Sequence, residues 1–391
     1  MSGLIIKPRA RIFHGHDWVY SSEILKTFGN PNPGDVVSLK DGKDRLLGSA
    51  IYNPVSQIVA RRFSRRRQDL DADFFRRRIA QAIEYRRRRG VDPRLCRLVW
   101  SESDGLPGVV VDRYGDCLVV QTLTQAMDQR KSLLTEVLVS LLSPSVVIER
   151  NDAPIRRAEG LELTTGLLHG TGMPADFAIE TGSLRFSPDL LGGQKTGFYL
   201  DQVENYQLVA KASSGRRVLD CFTNQGAFAL ACAQHGAASV LGVEVSADAI
   251  TAARRNAERN NLPNIEWREA NVFDLLPAEE RRGAQYDLII LDPPSFTKSK
   301  SKLDDAMRGY KEIHLRALKL LSDDGLLATF CCSHHVNAAE FREMIIDSAV
   351  DAKRSVRQLA RYTQSADHPI VPTLPETEYL QGYLYESMPG R

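Results

Sequence analysis

From about residue 215 onward, four apolar runs alternate with four stretches of helical periodicity. The runs are Val218-Leu219, Val240 to Val243, Leu288 to Leu291 and Leu326 to Phe330, and the helical stretches lie near 227–235, 247–260, 305–321 and 338–350. Strand and helix in strict succession predict a parallel, doubly wound sheet. In an open sheet of that kind, ligands bind in the crevice beyond the carboxyl ends of the strands. Those ends carry Asp220, Glu244, Asp292 and Cys332. One acid capping a strand is readily structural, but four polar ends on successive strands predict a binding crevice.

The first of these ends opens the loop Asp220-Cys-Phe-Thr-Asn-Gln-Gly226, which leads into a helix. A glycine there lets the backbone approach a ligand without a Cβ in the way. The second and third glycines of G-x-G-x-x-G are missing, so a dinucleotide pyrophosphate would be poorly cradled. Glu244 follows at close to the spacing at which an acid bonds ribose hydroxyls. A helix N-terminus after Gly226 favours the carboxylate of an amino-acid moiety. Ribose plus amino acid without phosphate points to S-adenosylmethionine.

Asp292-Pro-Pro-Ser-Phe296 follows the next strand. Its two prolines fix φ and remove two amide donors, giving a stiff loop that could hold a flat base by its edge and against Phe296. Cys331 and Cys332 end the last run, ahead of Ser333, His334 and His335. Consecutive strand residues face opposite ways, so one thiol at most looks into the crevice. It is either a thiolate nucleophile or a small buried hydrophobe. The spacing does not suit a tetrahedral metal site, and no metal is expected.

The remainder of the 391 residues implies two or three domains in all. Residues 1–70 read as a small β-rich domain, with short apolar runs broken at Asn32-Pro33-Gly34, Asp41-Gly42 and Asn53-Pro54. Residues 71–186 read as a central α+β domain. It holds a helix over about 73–89 with Phe75, Ile79 and Ile83 on one face, a hairpin turning at Asp112 to Asp116, and a helix near 127–142. A boundary near Ser187-Pro188 leaves 187–391 for the sheet described first. Between Arg61 and Arg89 lie twelve arginines against four acids, a surplus of eight in a chain whose net charge is +2. Concentrated charge of that size is a footprint for a polyanion such as RNA, or else a solvated helix face.

No stretch approaches the roughly 18 continuous apolar residues of a membrane helix, and the N-terminal apolar segment is too short for a secretory signal. A cytoplasmic protein without membrane contact is expected. Six cysteines without a Cys-x-x-Cys pair suggest reduced thiols rather than a disulfide framework.

Over nearly its whole length the chain resembles the ribosomal RNA large subunit methyltransferase I family. The segments that carry the resemblance are Ser103 to Gly108, Gly193 to Gln202, Asp292 to Phe296, Arg308 to Glu312, Thr329 to Ser333 and Ala366 to Pro369. It implies an N-terminal PUA-type RNA-binding domain, the central α+β domain and a Rossmann-like class I methyltransferase domain. It also implies 5-methylcytosine formation in large-subunit ribosomal RNA, with homodimerisation left open. By the same resemblance Lys195, Thr196, Gly197, Tyr199, Asp201 and Gln202 line the cofactor pocket, together with Asp220, Phe222, Asn224, Gly226, Glu244, Val245, Asn271, Val272 and Asp292. The family's catalytic cysteine falls on Cys332, leaving Cys331 a bystander. Three departures stand out: Val203 where the family often has Arg, Asn271 for Asp, and His334 for the glycine after Cys-Ser.

C5 of cytosine is a weak nucleophile, so its methylation needs activation. Addition of the Cys332 thiolate to C6 supplies it, with Asp292 holding the N3/N4 edge. A thiolate at neutral pH needs a lowered pKa, for which His334 or His335 is the nearest positive neighbour in sequence. Two other readings remain at this stage. One is amino-group methylation of an RNA base, which the same Asp-Pro-Pro loop could serve without a thiol. The other is a non-catalytic RNA-binding assembly factor.

Overall fold

The computed structural model describes residues 2–193, 195–297, 302–333 and 335–388. The chain forms two compact units. One takes the chain up to Ile179, Pro188–Leu200 and Ala366–Thr377; the other takes Glu180–Ser187, Asp201–Ser365 and the chain from Glu378 on.

The first unit begins with β1 (Gly3–Ile6), β2 (Trp18–Tyr20), β3 (Ile24–Phe28), β4 (Val36–Lys40), β5 (Leu46–Tyr52) and β6 (Ile58–Ser64). They form one sheet in the order β2-β6-β5-β4-β1-β3, closed over Leu4, Ile6, Val19, Val37, Leu39 and Ala50. Helix α1 (Ala72–Arg88) starts where the Asp71 carboxylate accepts the Phe74 N–H at 2.7 Å, an N-cap. Phe75 and Ile79 sink into the core, as the i, i+4 spacing requires. The arginines do not all surround that stripe in solvent. Arg86 is buried, bonded to Asp104, to the Arg97 carbonyl and to the Asp367 carbonyl.

A second sheet follows in the same unit, ordered β11-β10-β9-β8-β7. Its strands are β7 (Leu95–Trp100), β8 (Val109–Tyr114), β9 (Cys117–Thr122), β10 (Val146–Asn151) and β11 (Thr164–His169), with α2 (Gln125–Asp128), α3 (Lys131–Leu142) and α4 (Ile155–Ala158) between them. The hairpin turn is tighter than its polar sequence suggests. Asp112, Arg113 and Tyr114 stay in β8, because Asp112 is fully buried against a bidentate Arg97 guanidinium at 2.7 and 2.8 Å. The expected single helix near 127–142 is two, parted at Gln129-Arg130.

After the short hairpin β12 (Ile179–Thr181) and β13 (Leu184–Phe186), the second unit is built on seven strands. In chain order its elements are α5 (Val203–Ala210), β14 (Arg217–Cys221), α6 (Ala227–Gln234), β15 (Ser239–Glu244), α7 (Ala247–Arg259), β16 (Ile265–Glu269), α8 (Val272–Arg281), β17 (Tyr286–Leu291), α9 (Leu303–Leu320), β18 (Leu321–Cys331), α10 (Ala338–Asp351), β19 (Ser355–Thr363) and β20 (Gln381–Met388). The sheet order is β16-β15-β14-β17-β18-β20-β19. The first five strands are parallel, and β20 runs antiparallel to both its neighbours. The central runs are apolar throughout because helices cover both faces of a parallel sheet. The architecture of this unit is a doubly wound α/β sheet, preceded in sequence by the two sheets of the first unit. Among the described residues no helix is long and apolar enough to cross a membrane.

His314, on α9, sits fully buried in this unit, its ring nitrogens 2.6 Å from the Tyr310 carbonyl and 2.7 Å from the Thr329 hydroxyl. Burial lowers its pKa to about 4. The folded value lies below the unfolded one, so the contribution is complete above the unfolded pKa of 6.5 and is lost as pH falls through 4. That loss is on the order of 3 kcal/mol. Urea unfolding read at Trp267 should therefore show wild type losing about that much relative to His314→Gln between pH 7 and 4. Parallel pH curves for the two proteins would contradict it.

Candidate active site at the carboxyl ends of the parallel strands

Strands β14, β15 and β17 are neighbours, with β14 in the middle, so their ends bring Asp220, Glu244 and Asp292 to one rim. Asp220 is fully buried. Its Oδ2 accepts from the Thr223 hydroxyl at 2.5 Å and the Ala229 N–H at 3.1 Å, while its equally buried Oδ1 has no hydrogen-bond partner among the described residues. Burial, with the charges of Asp292 and Glu244 adding to it, pushes its pKa up to about 7. A buried carboxylate oxygen left unbonded among like charges is a site that a hydrogen-bonding cation would satisfy.

Glu244 is held by backbone alone. Its two oxygens accept from the N–H groups of Asn224 (3.1 Å), Val245 (2.8 Å) and Ser246 (3.2 Å). The loop between β14 and α6 is bent to allow this. Phe222 and Asn224 have φ of 63° and 49°, and Gly226 has φ of 88°. A bulky aromatic in the left-handed region is an outlier, of the kind that persists where a binding loop is over-determined by its surroundings.

Gly226 also meets a packing constraint. A Cβ there would lie 2.6 Å from the Trp267 ring, and one at Gly242 would lie equally close to it. The indole of β16 fills the space, so the glycine makes room for packing and for the left-handed turn. Gly226→Ala should cost about 2–3 kcal/mol in thermal or urea unfolding, combining strain and clash. Trp267→Leu in that background should recover part of it. A neutral Gly226→Ala would refute this account.

Asn271 is the N-cap of α8, its side-chain oxygen accepting the Phe273 N–H at 3.0 Å. That engagement leaves its amide N–H groups, rather than its acceptor, for other use. Val272 turns into the core, and Val245 is 67% exposed. Phe222 joins an aromatic group that the sequence reading missed: Phe296 lies 4.6 Å from Tyr310, 5.7 Å from Phe273 and 6.4 Å from Phe222 between ring centroids. Gly309 allows the approach, since a Cβ on it would come within 3.3 Å of the Phe296 ring. The Arg308-Gly-Tyr-Lys-Glu312 segment was the available signal.

Asp292 receives the Gln202 side-chain amide at 3.1 Å. The orientation of that amide is set from behind: Asn205 donates to its oxygen at 2.7 Å and to the Thr363 carbonyl at 2.9 Å. Asp201 accepts the Tyr379 hydroxyl at 2.8 Å, and its carbonyl accepts from Ser365. Thr196 belongs to the first unit. Its hydroxyl is buried in the first unit, donating to Asp112 at 2.6 Å and 2.8 Å from the Tyr114 hydroxyl. Lys195 lies with its ammonium 4.2 Å from the Tyr199 ring centroid, and Gly197, at φ 120°, packs on Leu190 in that same unit. Gln194 lies outside the described residues.

The two thiols separate cleanly. Cys331 is buried, its thiol 3.7 Å from the Tyr310 hydroxyl, and burial raises its pKa. Cys332 lies just past the end of β18, half-buried, with its sulfur 3.8 Å from the Pro293 carbonyl of the Asp-Pro-Pro loop. His335 is exposed and its backbone N–H meets the Ser333 hydroxyl; His334 lies outside the described residues.

This rim fits S-adenosylmethionine: the unpartnered Asp220 oxygen and the clustered acids suit its ammonium and sulfonium, and the backbone-held Glu244 suits a diol. Residues 164–374 match the model of the S-adenosylmethionine-dependent methyltransferase family, and residues 4–65 match that of the PUA-like domain. Proteins named ribosomal RNA large subunit methyltransferase I are similar to this chain. The one from Vibrio vulnificus is 38% identical over 97% of both chains, and the one from Photobacterium profundum 39% identical over 94% of both. In fold, a candidate SAM-dependent methyltransferase from Streptococcus mutans superposes with a TM-score of 0.84 at 21% identity, covering 99% of this chain and 100% of its own. A second candidate methyltransferase, solved with SAH, matches equally well. With such relatives along almost all of its length, the chain belongs to the ribosomal RNA large subunit methyltransferase I family and takes S-adenosylmethionine as its methyl donor.

Proposed function

We propose that this chain methylates C5 of a cytosine in large-subunit ribosomal RNA through a covalent bond from Cys332. The observation that carries the reading is the contrast between the two thiols: the one at 332 is accessible at the rim beside the Asp292 loop, and its neighbour is packed into the core. The relatives' shared name supports the choice of RNA.

In this reading the Cys332 thiolate adds to C6, and the electron pair of the C5–C6 bond moves to C5, which becomes enamine-like. S-adenosylmethionine supplies the electrophilic methyl group that C5 attacks. Removal of the C5 proton by a base then re-forms the double bond and expels the thiolate, so the enzyme ends as it began. Asp292, steadied by Gln202, holds the N3/N4 edge of the base. The target is unpaired or flipped out of any helix. Asp201, Asp220, Phe222, Asn224, Gly226, Glu244, Val245, Asn271 and Val272 form the cofactor side of the crevice. Glu244 takes the ribose hydroxyls and Asp220 the positive end of the amino acid.

The test is to incubate the protein with S-adenosylmethionine and large-subunit RNA from a strain lacking this enzyme, then digest and identify the product by mass spectrometry. 5-Methylcytosine is expected. A methyl group on an exocyclic nitrogen would replace the covalent mechanism with direct amino-group transfer.

A further inference from the structure

Within the first unit, the end of β6, the linker after it, α1, the Ser101–Asp104 turn and the 369–374 segment enclose a cleft of about 820 Å³. Three acids line it, and all three are consumed inside its wall. Asp17 pairs with Arg62, Glu102 with Arg61 and the Trp18 N–H, and Asp104 with the buried Arg86. Four arginines of the wall, Arg65, Arg66, Arg77 and Arg78, have no carboxylate within ion-pair distance among the described residues. Arg77 donates to Gln68; Arg78 donates to the Phe63 carbonyl at 3.0 Å and lies 5.6 Å from the Phe74 ring. Burial is the main cause that lowers the Arg78 pKa; the charge of Arg77 adds to it, and Asp104 and Asp17 oppose it. The rest of the lining adds uncharged residues: Gly105, Pro369, Val371 and Leu374, with the half-buried Tyr85 on the same helix as Arg77 and Arg78.

We infer that this cleft is a second RNA-binding site, separate from the methyl-transfer crevice, which grips a single-stranded segment of the substrate. The four guanidinium groups take the phosphodiesters, and Tyr85 and the apolar lining take bases or ribose. A groove that combines cations with flat or apolar groups is how single strands are held without sequence readout. An acidic peptide would use the cations and leave Tyr85 and the apolar lining idle. The inference rests on the RNA reading above.

The experiment measures binding of the full-length chain to a mixed-sequence 20-nucleotide single-stranded RNA by fluorescence anisotropy across a potassium chloride series. The triple variant Arg65→Ala, Arg66→Ala, Arg77→Ala should bind at least about tenfold more weakly at low salt, with the log–log salt slope reduced by about 2, since each phosphate contact on a single strand contributes about 0.7. Its melting temperature and S-adenosylmethionine affinity should match wild type. The control Arg67→Ala, Arg89→Ala removes two exposed arginines outside the cleft and should change little. Wild-type affinity and slope in the triple variant, or equal losses in the control, would overturn the cleft while leaving the RNA reading intact. Competition by poly-glutamate as effective as by RNA would overturn it in favour of an acidic protein partner. A wild-type chain that binds no RNA would remove both readings together.

Discussion

Cys332→Ala is expected to lower methyl transfer by at least about 10³-fold, roughly 4 kcal/mol of transition-state stabilisation, and to leave S-adenosylmethionine binding within experimental error of wild type. The size follows from the chemistry. In the proposed mechanism C5 has no route to enamine character without the sulfur adduct, so only the slow uncatalysed attack remains. Cys331→Ala makes the natural comparison. That thiol is buried and its pKa is raised, so the substitution should cost about 1 kcal/mol of stability through a small cavity and little turnover. Single-turnover rates and calorimetric cofactor titrations on the two variants would decide. Near-normal transfer by Cys332→Ala would end the covalent mechanism, and a dead Cys331→Ala with a live Cys332→Ala would exchange their roles.

The second large effect concerns Asp220. Its folded pKa of about 7 lies above the ordinary value of 3.8, so between those values the native state holds a proton that the unfolded chain releases. Its contribution to stability is therefore complete below about pH 4 and lost as pH rises through 7, a change on the order of 4 kcal/mol. Asp220→Asn should remove that loss, making the cofactor-free protein more stable than wild type at pH 8 by a comparable amount. The same variant should bind S-adenosylmethionine at least about tenfold more weakly, because the charge that burial opposes is the charge the ligand uses. This sign is opposite to that of His314, so the two contributions partly offset each other between pH 4 and 7, and the two variants separate them. An Asp220→Asn protein no more stable than wild type at pH 8 would show that the carboxylate ionises there without penalty.

Much of the catalytic unit was legible because burial on both faces of a parallel sheet writes itself into sequence. Val218-Leu219, Val240 to Val243 and Leu288 to Leu291 could hardly be anything but central strands, and the acid after each marked the rim. Strand β16 went unseen because an edge strand is covered on one flank, so Ile265-Glu-Trp-Arg-Glu carries few apolar residues. Strand β19 is mostly exposed and polar for the same reason. Thr196, which the resemblance set in the cofactor pocket, is a different case. Its hydroxyl is claimed by Asp112 and Tyr114, more than eighty positions earlier, a pairing that no local pattern announces. The arginine surplus was read as one block, yet Arg61, Arg62 and Arg86 are spent on internal acids, and the free charge is confined to particular positions.

Strand β20 lies between β18 and β19, pairing Gln381 with Cys331 and Glu386 with Leu326. The strand that delivers Cys332 is thus zipped on one side by residues synthesised some fifty positions later. During translation the thiol stays on an unfinished sheet margin, open to pairing with a stranger's backbone, until residues 381–388 have left the ribosome. Ribosomes stalled before that point would carry a chain in which one edge of β18 is still unpaired.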